Sequence, residues 1–396
     1  PGYGFLSENA DFAAACQSLG ITFIGPRPEQ ITDFGLKHRA RELAMAADVP
    51  LLPGTNLLLS LSEATQAAAI IGYPLMLKTT AGGGGIGMQV CDTEQDLIKA
   101  FDSVRRLGQN NFSHDGVFLE KFIPRARHIE VQVVGDGDGF AVAIGERDCS
   151  AQRRNQKVIE ECPAPNLADS VRAHLQATAS ELLASIHYLN AGTVEFILDA
   201  DTEAFYFLEV NTRLQVEHGV TEEVFGVDLV EWMLKVASGD TQLLREFAAK
   251  PEGHAIQVRV YAEDPYKNFA PAPGFLSQVE WPQQSDVRID HWIRAGVEVS
   301  PYFDPMLAKV IVHRSDRTQA LAALDQALNE TQLYGTQTNQ RYLQALLVDP
   351  VVQAGAVTTR YLNEFSWTPA RIDVISGGTQ TTIQDAWGRR GYWSVG

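Results

Sequence analysis

The run Glu209-Val210-Asn211-Thr212-Arg213-Leu214-Gln215-Val216-Glu217, together with a β-rich run just before it, restricts the folding of this chain more than any other stretch. Residues 193–199 and 205–211 flank the short link Ala200-Asp201-Thr202-Glu203-Ala204, which predicts a β-hairpin. Side chains of an extended chain alternate between faces. Glu209, Asn211, Arg213, Gln215 and Glu217 therefore fall on one side, and Leu208, Val210, Leu214 and Val216 on the other. A hairpin centred on Thr202 sets Glu195 opposite Glu209 on a common face. A solvent-facing strand shows the same alternation. Two directly opposed carboxylates repel, however, and a divalent cation between them removes that cost. Carboxylate and amide oxygens suit a hard ion such as Mg²⁺. A straight strand would hold Glu209 and Glu217 about 26 Å apart, so a shared site requires the chain to curl after Asn211. Arg213 to Glu217 then forms a turn, in which Arg213 can offer a bidentate fork to a small planar anion and Glu217 can act as a base.

A second signal is Lys78-Thr79-Thr80-Ala81-Gly82-Gly83-Gly84-Gly85-Ile86-Gly87-Met88, a glycine loop leaving the strand pattern Tyr73 to Leu77. Backbone N–H groups free of Cβ hindrance can wrap phosphate oxygens, although a plain surface turn has the same composition. Lysine precedes the glycines here, so this is not a Walker A loop. A third signal is Gly145 to Lys157, which concentrates four basic residues as either a charged solvated loop or an anion site. His128 heads a strand pattern at Arg127-His128-Ile129-Glu130, and Cys149 reads as a packed thiol.

The 396 residues suggest two or three domains. A formal net charge of -17 argues against a nucleic-acid partner. No apolar run reaches the ~18 residues that span a bilayer, so a soluble protein without a membrane partner is expected. Four cysteines without a CxxC spacing suit reduced thiols in a cytoplasmic enzyme. The chain opens without Met or a secretory pattern, and both ends are expected to be cuts in a longer protein.

Helical and β-rich patterns alternate, which favours an α/β class. Asn9 to Leu19, Ala173 to Tyr188, Val227 to Ala237 and Asp316 to Glu330 read as helices; residues 21–24, 117–122, 129–134 and 140–144 read as strands. Polar residues 239–253 suggest one domain boundary and Ser366-Trp367-Thr368-Pro369 a second.

In this order, the motifs resemble the biotin carboxylase family of ATP-grasp ligases. The resemblance runs from PGYGFLSENADFA at 1–13 through FIGP at 23–26, KTTAGGGGIGM at 78–88, ERDCSAQRRNQKVIEECPAP at 146–165, GTVEF at 192–196 and FLEVNTRLQVEH at 207–218. It continues through AEDP at 262–265, APAPG at 270–274 and PYFDPMLAK at 301–309 to near Leu362, about nine-tenths of the chain. It implies an ATP-grasp fold of α/β (α+β) class, with a remnant of an N-terminal Rossmann-like subdomain at 1–35. The ATP-grasp domain would span 36–245, with a lid subdomain at about 52–122, and a β-rich C-terminal domain would span 254–364. Residues 370–396 are similar to the start of the carboxyltransferase domain of urea carboxylases, which would make this chain their biotin carboxylase component, truncated at both ends.

The same resemblance implies ATP, Mg²⁺ (or Mn²⁺) and biotin as cofactors, the biotin being carried on a lysine outside this chain. Lys37, Lys78 and the lid glycines Gly82, Gly83, Gly84 and Gly85 would contact nucleotide phosphates. Glu120 and Lys121 would lie near the adenine, with His128 and Gln152 along the nucleotide. Glu195, Glu209 and Asn211 would hold the metal. Lys157, Arg213, Gln215 and Val216 would bind bicarbonate, Glu217 would deprotonate it, and Arg288 would stabilise the enolate of biotin. Expected partners are bicarbonate, a biotin carrier domain and a carboxyltransferase domain of the same parent chain, with a homo-oligomer left open. Ala81 and Ile86 stand where relatives often have Gly and Arg, and Asn155 replaces a common His. Another ATP-grasp ligase, related to carbamoyl-phosphate synthase, and a non-catalytic remnant stay open as alternatives, as do guanidine and acyl-CoA acceptors.

Overall fold

Asp136 closes the turn between two long strands, accepting from the N–H of Asp138 at 2.7 Å and of Phe140 at 3.0 Å. The strands it joins, β4 (Ala126–Asp136) and β5 (Ala141–Arg153), form the middle of the principal sheet. The computed structural model describes residues 2–79, 87–112, 116–283, 286–368, 371–376 and 379–384. They fall into two units, Pro1–Glu252 with Val357–Asn363, and Gly253–Ala356 with Glu364–Gly396.

In the first unit β4 and β5 are joined by β6 (Gln156–Cys162), β7 (Leu189–Asp199) and β8 (Phe205–Asn211), all antiparallel and in the order β6-β5-β4-β7-β8. Ile129, Val131 and Val133 of β4 point to one face with Val194 and Phe196 of β7. The helix α6 (Asp169–Ser185) covers that face with Leu175, Ala179, Leu182 and Leu183. On the opposite face, the end that holds Val134, Ile144 and Ala191 is sealed by Leu229, Met233 and Val236 of α8 (Leu229–Ala237). The other end of that face carries polar side chains instead, and there the site is built.

The expected hairpin forms, with a β-bulge between Glu195 and Phe196. Leu198 pairs with Phe205, one position off the symmetric register, and the bulge restores Glu195 opposite Glu209. A smaller antiparallel sheet, β2-β1-β3, comprises β1 (Leu75–Thr79), β2 (Met88–Cys91) and β3 (Val117–Lys121). It packs its own core of Leu75, Leu77, Leu97, Phe101 and Leu119 against α4 (Leu61–Ile71) and α5 (Glu94–Phe112). The lid glycines Gly82, Gly83, Gly84 and Gly85 lie outside the described residues, as do Ala81 and Ile86.

The second unit contains β9 (His254–Tyr261), which pairs antiparallel with Met306–Arg314, itself paired with Val287–His291. The helix Arg317–Glu330 starts at its cap Asp316 and buries Leu321, Leu324 and Leu328. Residues 357–363 join the first unit, where the Thr359 N–H donates to the Ala126 carbonyl at 2.8 Å. Of the segment expected to open a carboxyltransferase domain, the structure describes the antiparallel pair Arg371–Ser376 and Thr379–Gln384. Among the described residues no helix is long and apolar enough to cross a membrane.

Two expectations change. Residues 21–24 form no strand. The basic stretch 145–157 is not a solvated loop, because residues through Arg153 belong to β5 and Gln156 opens β6. Arg154 and Asn155 make the tight turn between them at φ 52° and 62°, a left-handed geometry that asparagine tolerates well.

Candidate active site

Period-two alternation along three neighbouring strands places His128 and Glu130 of β4, Glu195 of β7, and Glu209 and Asn211 of β8 on the polar end of the sheet. Lys157, from β6, reaches into their midst. Its Nζ donates to Glu130 Oε2 at 2.6 Å, to Glu195 Oε1 at 3.0 Å and to Glu217 Oε1 at 2.6 Å. Burial alone would lower the pKa of this ammonium, but Glu130, Glu195 and Glu217 hold it well above the ordinary lysine value. The chain curls after β8 as its length requires, and α7 (His218–Phe225) begins directly after Glu217. Glu217 is fully buried.

Glu130 and Arg147 were not singled out from the sequence. Arg147 is buried without exposure; its Nε donates to Glu130 Oε1 at 2.6 Å, and its Nη1 to Gln132 Oε1 and Thr221 Oγ1, both at 2.9 Å. The polar residues at alternate positions 128, 130 and 132 are the signal that would have found Glu130. Lys157, the basic residue of the stretch 145–157 expected to bind bicarbonate, is likewise committed to carboxylates.

His128 meets Glu195 Oε2 through Nε2 at 3.0 Å and the Gln152 amide through Nδ1 at 2.8 Å. Burial opposes its protonation, yet the Glu195 charge outweighs it and raises the imidazole above its usual value. Gln152 also donates to the Cys149 carbonyl at 2.9 Å. Glu195 accepts a further bond from Gln215 Nε2 at 3.2 Å, and its carboxyl is held far below the ordinary range: burial acts against this, and Lys157 and His128 prevail. Glu209 shifts the other way, raised first by burial and then by the charge of Glu195. Cys149 lies 4.0 Å from Glu217 Oε1, and burial followed by Glu130 keeps it a thiol.

The nucleotide-side residues form a second group. Glu120 of β3 takes the Arg41 guanidinium at 2.8 Å and the Lys78 ammonium of β1 on its other oxygen. Desolvation and then the like charge of Lys78 lower the pKa of Lys37, while Glu209 and Glu120 pull it upward. Lys121 points away from Glu120 and donates to the Gly72 and Tyr73 carbonyls, both at 2.9 Å.

Arg213 differs from the free bidentate fork expected of it. Its Nε donates to Glu8 Oε2 at 2.9 Å, its Nη1 to the Leu214 carbonyl at 3.2 Å and Gln215 Oε1 at 3.0 Å, and its Nη2 to Asn211 Oδ1 at 3.3 Å. Only one of the five guanidinium N–H groups is left for an incoming anion. Val216 lies half-buried between Gln215 and Glu217. Arg288 belongs to the second unit, where it pairs with Asp290 at 3.1 Å, and Lys309 reaches the same carboxylate at 2.9 Å. Asp290, Lys309 and Arg259 are register partners across three strands, so Arg259 is a second arginine in that charged row.

The donor set fits a hard divalent cation. Glu130, Glu195, Glu209 and Glu217 are four carboxylates gathered around two permanent cations, Lys157 and Arg147, and buried charges require compensation. The Asn211 side chain offers an amide oxygen, the kind of donor such an ion takes, and that oxygen accepts from Arg213 Nη2 at 3.3 Å. Two tighter groupings, His128 with Glu130 and Glu195, and Glu130 with Cys149 and Glu217, bring ligand-type atoms within 4.8 Å. Glu195 belongs to the first of these groupings as well as to the expected set of Glu195, Glu209 and Asn211, and its Oε1 already accepts from Lys157.

Comparison with known proteins sorts the ATP-grasp alternatives. Residues 37–245 match the carbamoyl-phosphate synthase L chain ATP-binding domain, residues 1–31 the biotin carboxylase N-terminal domain, and residues 257–364 the biotin carboxylase C-terminal domain. The biotin carboxylase of Halalkalibacterium halodurans is 44% identical over 363 residues, spanning 91% of this chain and 80% of that protein. The chain belongs to the biotin carboxylase family. A crystal structure of the Hydrogenobacter thermophilus 2-oxoglutarate carboxylase biotin carboxylase domain, a dimer with MgADP, ADP and bicarbonate, superposes with a TM-score of 0.85 at 39% identity, covering 92% of this chain and 80% of that one. Within the biotin carboxylases the chain is also similar to longer proteins. Saccharomyces cerevisiae urea amidolyase is 51% identical over the whole chain, which spans only 22% of that protein. Kluyveromyces lactis urea carboxylase matches with a TM-score of 0.74 at 42% identity over 99% of this chain and 28% of its own.

Proposed function

We propose that this chain is the ATP-dependent ligase component that carboxylates biotin with bicarbonate, the first half-reaction of an enzyme converting urea, ATP and bicarbonate to allophanate. The observation that carries the reading is Lys157 bridging Glu130, Glu195 and Glu217 at 2.6–3.0 Å, which joins the metal carboxylate Glu195 to the base Glu217 in one buried cluster. Glu195, Glu209 and Asn211 would hold Mg²⁺, or Mn²⁺, which supplies neutralisation of phosphate charge when bound. Lys157, Gln215, Val216 and the free Nη2 N–H of Arg213 would hold bicarbonate, and Glu217 takes its proton. The activated anion attacks the γ-phosphoryl group, giving carboxyphosphate and ADP. That intermediate breaks down to CO₂ and phosphate, and CO₂ is captured at biotin N1. Lys37, Lys78, Arg41 and the lid glycines bind the phosphates and exclude water; Glu120 and Lys121 lie near the adenine, and His128 and Gln152 along the nucleotide.

For the biotin enolate, the charged row of the second unit supplies the cation. Arg288 carries that role in our reading, and Arg259 is the alternative on the same row. We assign 1–35 to the N-terminal remnant, 36–245 to the ATP-grasp domain with its lid at about 52–122, 254–364 to the C-terminal domain and 370–396 to the start of a carboxyltransferase domain. That last segment and the similarity to urea amidolyases favour urea over guanidine or an acyl-CoA as the final acceptor. The carrier lysine and the carboxyltransferase would come from the same parent chain, which could act as a homo-oligomer. The four cysteines are free thiols, in keeping with a cytoplasmic location.

Phosphate release by the full-length enzyme tests the reading. It should require bicarbonate and rise on adding free biotin. ATP cleavage indifferent to biotin would favour a carbamoyl-phosphate synthase type of reaction instead.

A further inference from the structure

No step above uses the motif Ser7-Glu8-Asn9, yet the structure ties it to the bicarbonate segment 204 positions later. Glu8 Oε1 accepts from the Thr212 N–H at 3.0 Å and the Thr212 hydroxyl at 3.3 Å, and Oε2 accepts from Arg213 Nε at 2.9 Å. Both neighbours of Glu8 are locked. Ser7 is buried, and its hydroxyl donates to the Gly4 carbonyl at 2.6 Å. Asn9 caps α1 (Ala10–Ser18) by accepting from the Phe12 N–H at 2.7 Å. The carboxylate is therefore presented from a fixed stem, and holding it against Arg213 costs little further side-chain entropy.

A guanidinium is planar, so bonds at Nε and three of the η N–H groups fix where the last N–H points. Asn211, Leu214 and Gln215 supply three of those bonds from the same segment. Glu8 alone supplies the one at Nε, and it also grips the Thr212 backbone just before Arg213. We propose that Glu8 is a positioning residue for bicarbonate: it sets the plane of Arg213 and the path of its backbone, and so governs affinity for the anion without touching it. This rests on Arg213 being a bicarbonate ligand.

The test is steady-state kinetics of the full-length enzyme. Glu8→Ala should raise the KM for bicarbonate about tenfold, with kcat within about twofold and the KM for ATP unchanged. Glu8→Gln should raise it less, because the amide oxygen still accepts from Thr212 while the charge opposite Arg213 is lost. Adding Glu8→Ala to Arg213→Ala should cause no further change. A bicarbonate KM that stays at wild type in Glu8→Ala while Arg213→Ala raises it would overturn the proposal. A lowered KM would do the same, since Glu8 would then be competing with the anion for Arg213. Equal losses in kcat and thermal midpoint with no selective change in bicarbonate KM would reduce Glu8 to a structural role. If Arg213→Ala itself leaves the bicarbonate KM unchanged, the ligand assignment fails and this inference fails with it. Should Glu8→Ala not fold, Glu8→Gln carries the same discrimination.

Discussion

Arg147 shows how much of the site rests on a fully buried residue that the sequence did not single out. Its fully buried guanidinium is satisfied by Glu130, Gln132, Thr193 and Thr221. Removing it leaves Glu130 buried with Lys157 at 2.6 Å and the more distant His128 at 3.9 Å as its partners. Arg147→Ala should destabilise the protein by about 3–5 kcal/mol, read as a large drop in thermal midpoint, and Arg147→Lys should not rescue it because the four contacts need the forked geometry. A midpoint within a degree of wild type would contradict this. Glu209 is the complementary case, a carboxylate whose protonation is favoured by burial and by Glu195 when no cation is present. Glu209→Ala should lower metal-dependent turnover about a hundredfold or more, and titration with excess Mg²⁺ should not restore it; wild-type turnover would exclude Glu209 as a ligand. At this scale the sequence was informative where residue type and spacing coincide, as at Glu195, Glu209 and Glu217. It was silent on Arg147 and Glu130, because a charge on a strand looks solvated until its partners on other strands are known.

The elements show why part of the fold was legible and part was not. β7 and β8 announce themselves by composition and a short link, but the bulge beside Glu195 leaves no mark on that pattern. β5 was misread past residue 144, because Glu146, Arg147, Asp148 and Gln152 look like surface residues. All four are buried, and paired charges on both faces take the place of the apolar alternation that identifies an ordinary strand. Packing between elements is close where β5 meets α7. A Cβ on Gly145 would lie 2.3 Å from the Phe225 ring. Gly145→Ala should therefore push α7 outward and cost about 1–3 kcal/mol. Because α7 carries Thr221, which holds Arg147, turnover should fall together with the thermal midpoint. Normal values of both would show that the ring moves aside freely.

For the whole molecule, the order of motifs along the chain indicated the family, while burial of the thiols could be read only from the structure. Cys91, Cys149 and Cys162 are buried and Cys16 is partly exposed. Burial, with Asp96 next, pushes Cys91 up to about 11. Native protein at neutral pH should accordingly take up an alkylating reagent at Cys16 and leave the other three protected, as peptide mass spectrometry would show; labelling of Cys149 before unfolding would contradict the buried site. The chain spans about a fifth of the length of the urea amidolyases it matches, so the acceptor half of the reaction must be examined in the full protein. The most direct measurement of the account is biotin carboxylation by full-length Glu217→Gln beside wild type, with ADP affinity determined on the same samples. The account predicts that carboxylation is lost while ADP binds as in wild type. Carboxylation at the wild-type rate would show that bicarbonate gives up its proton to some other group.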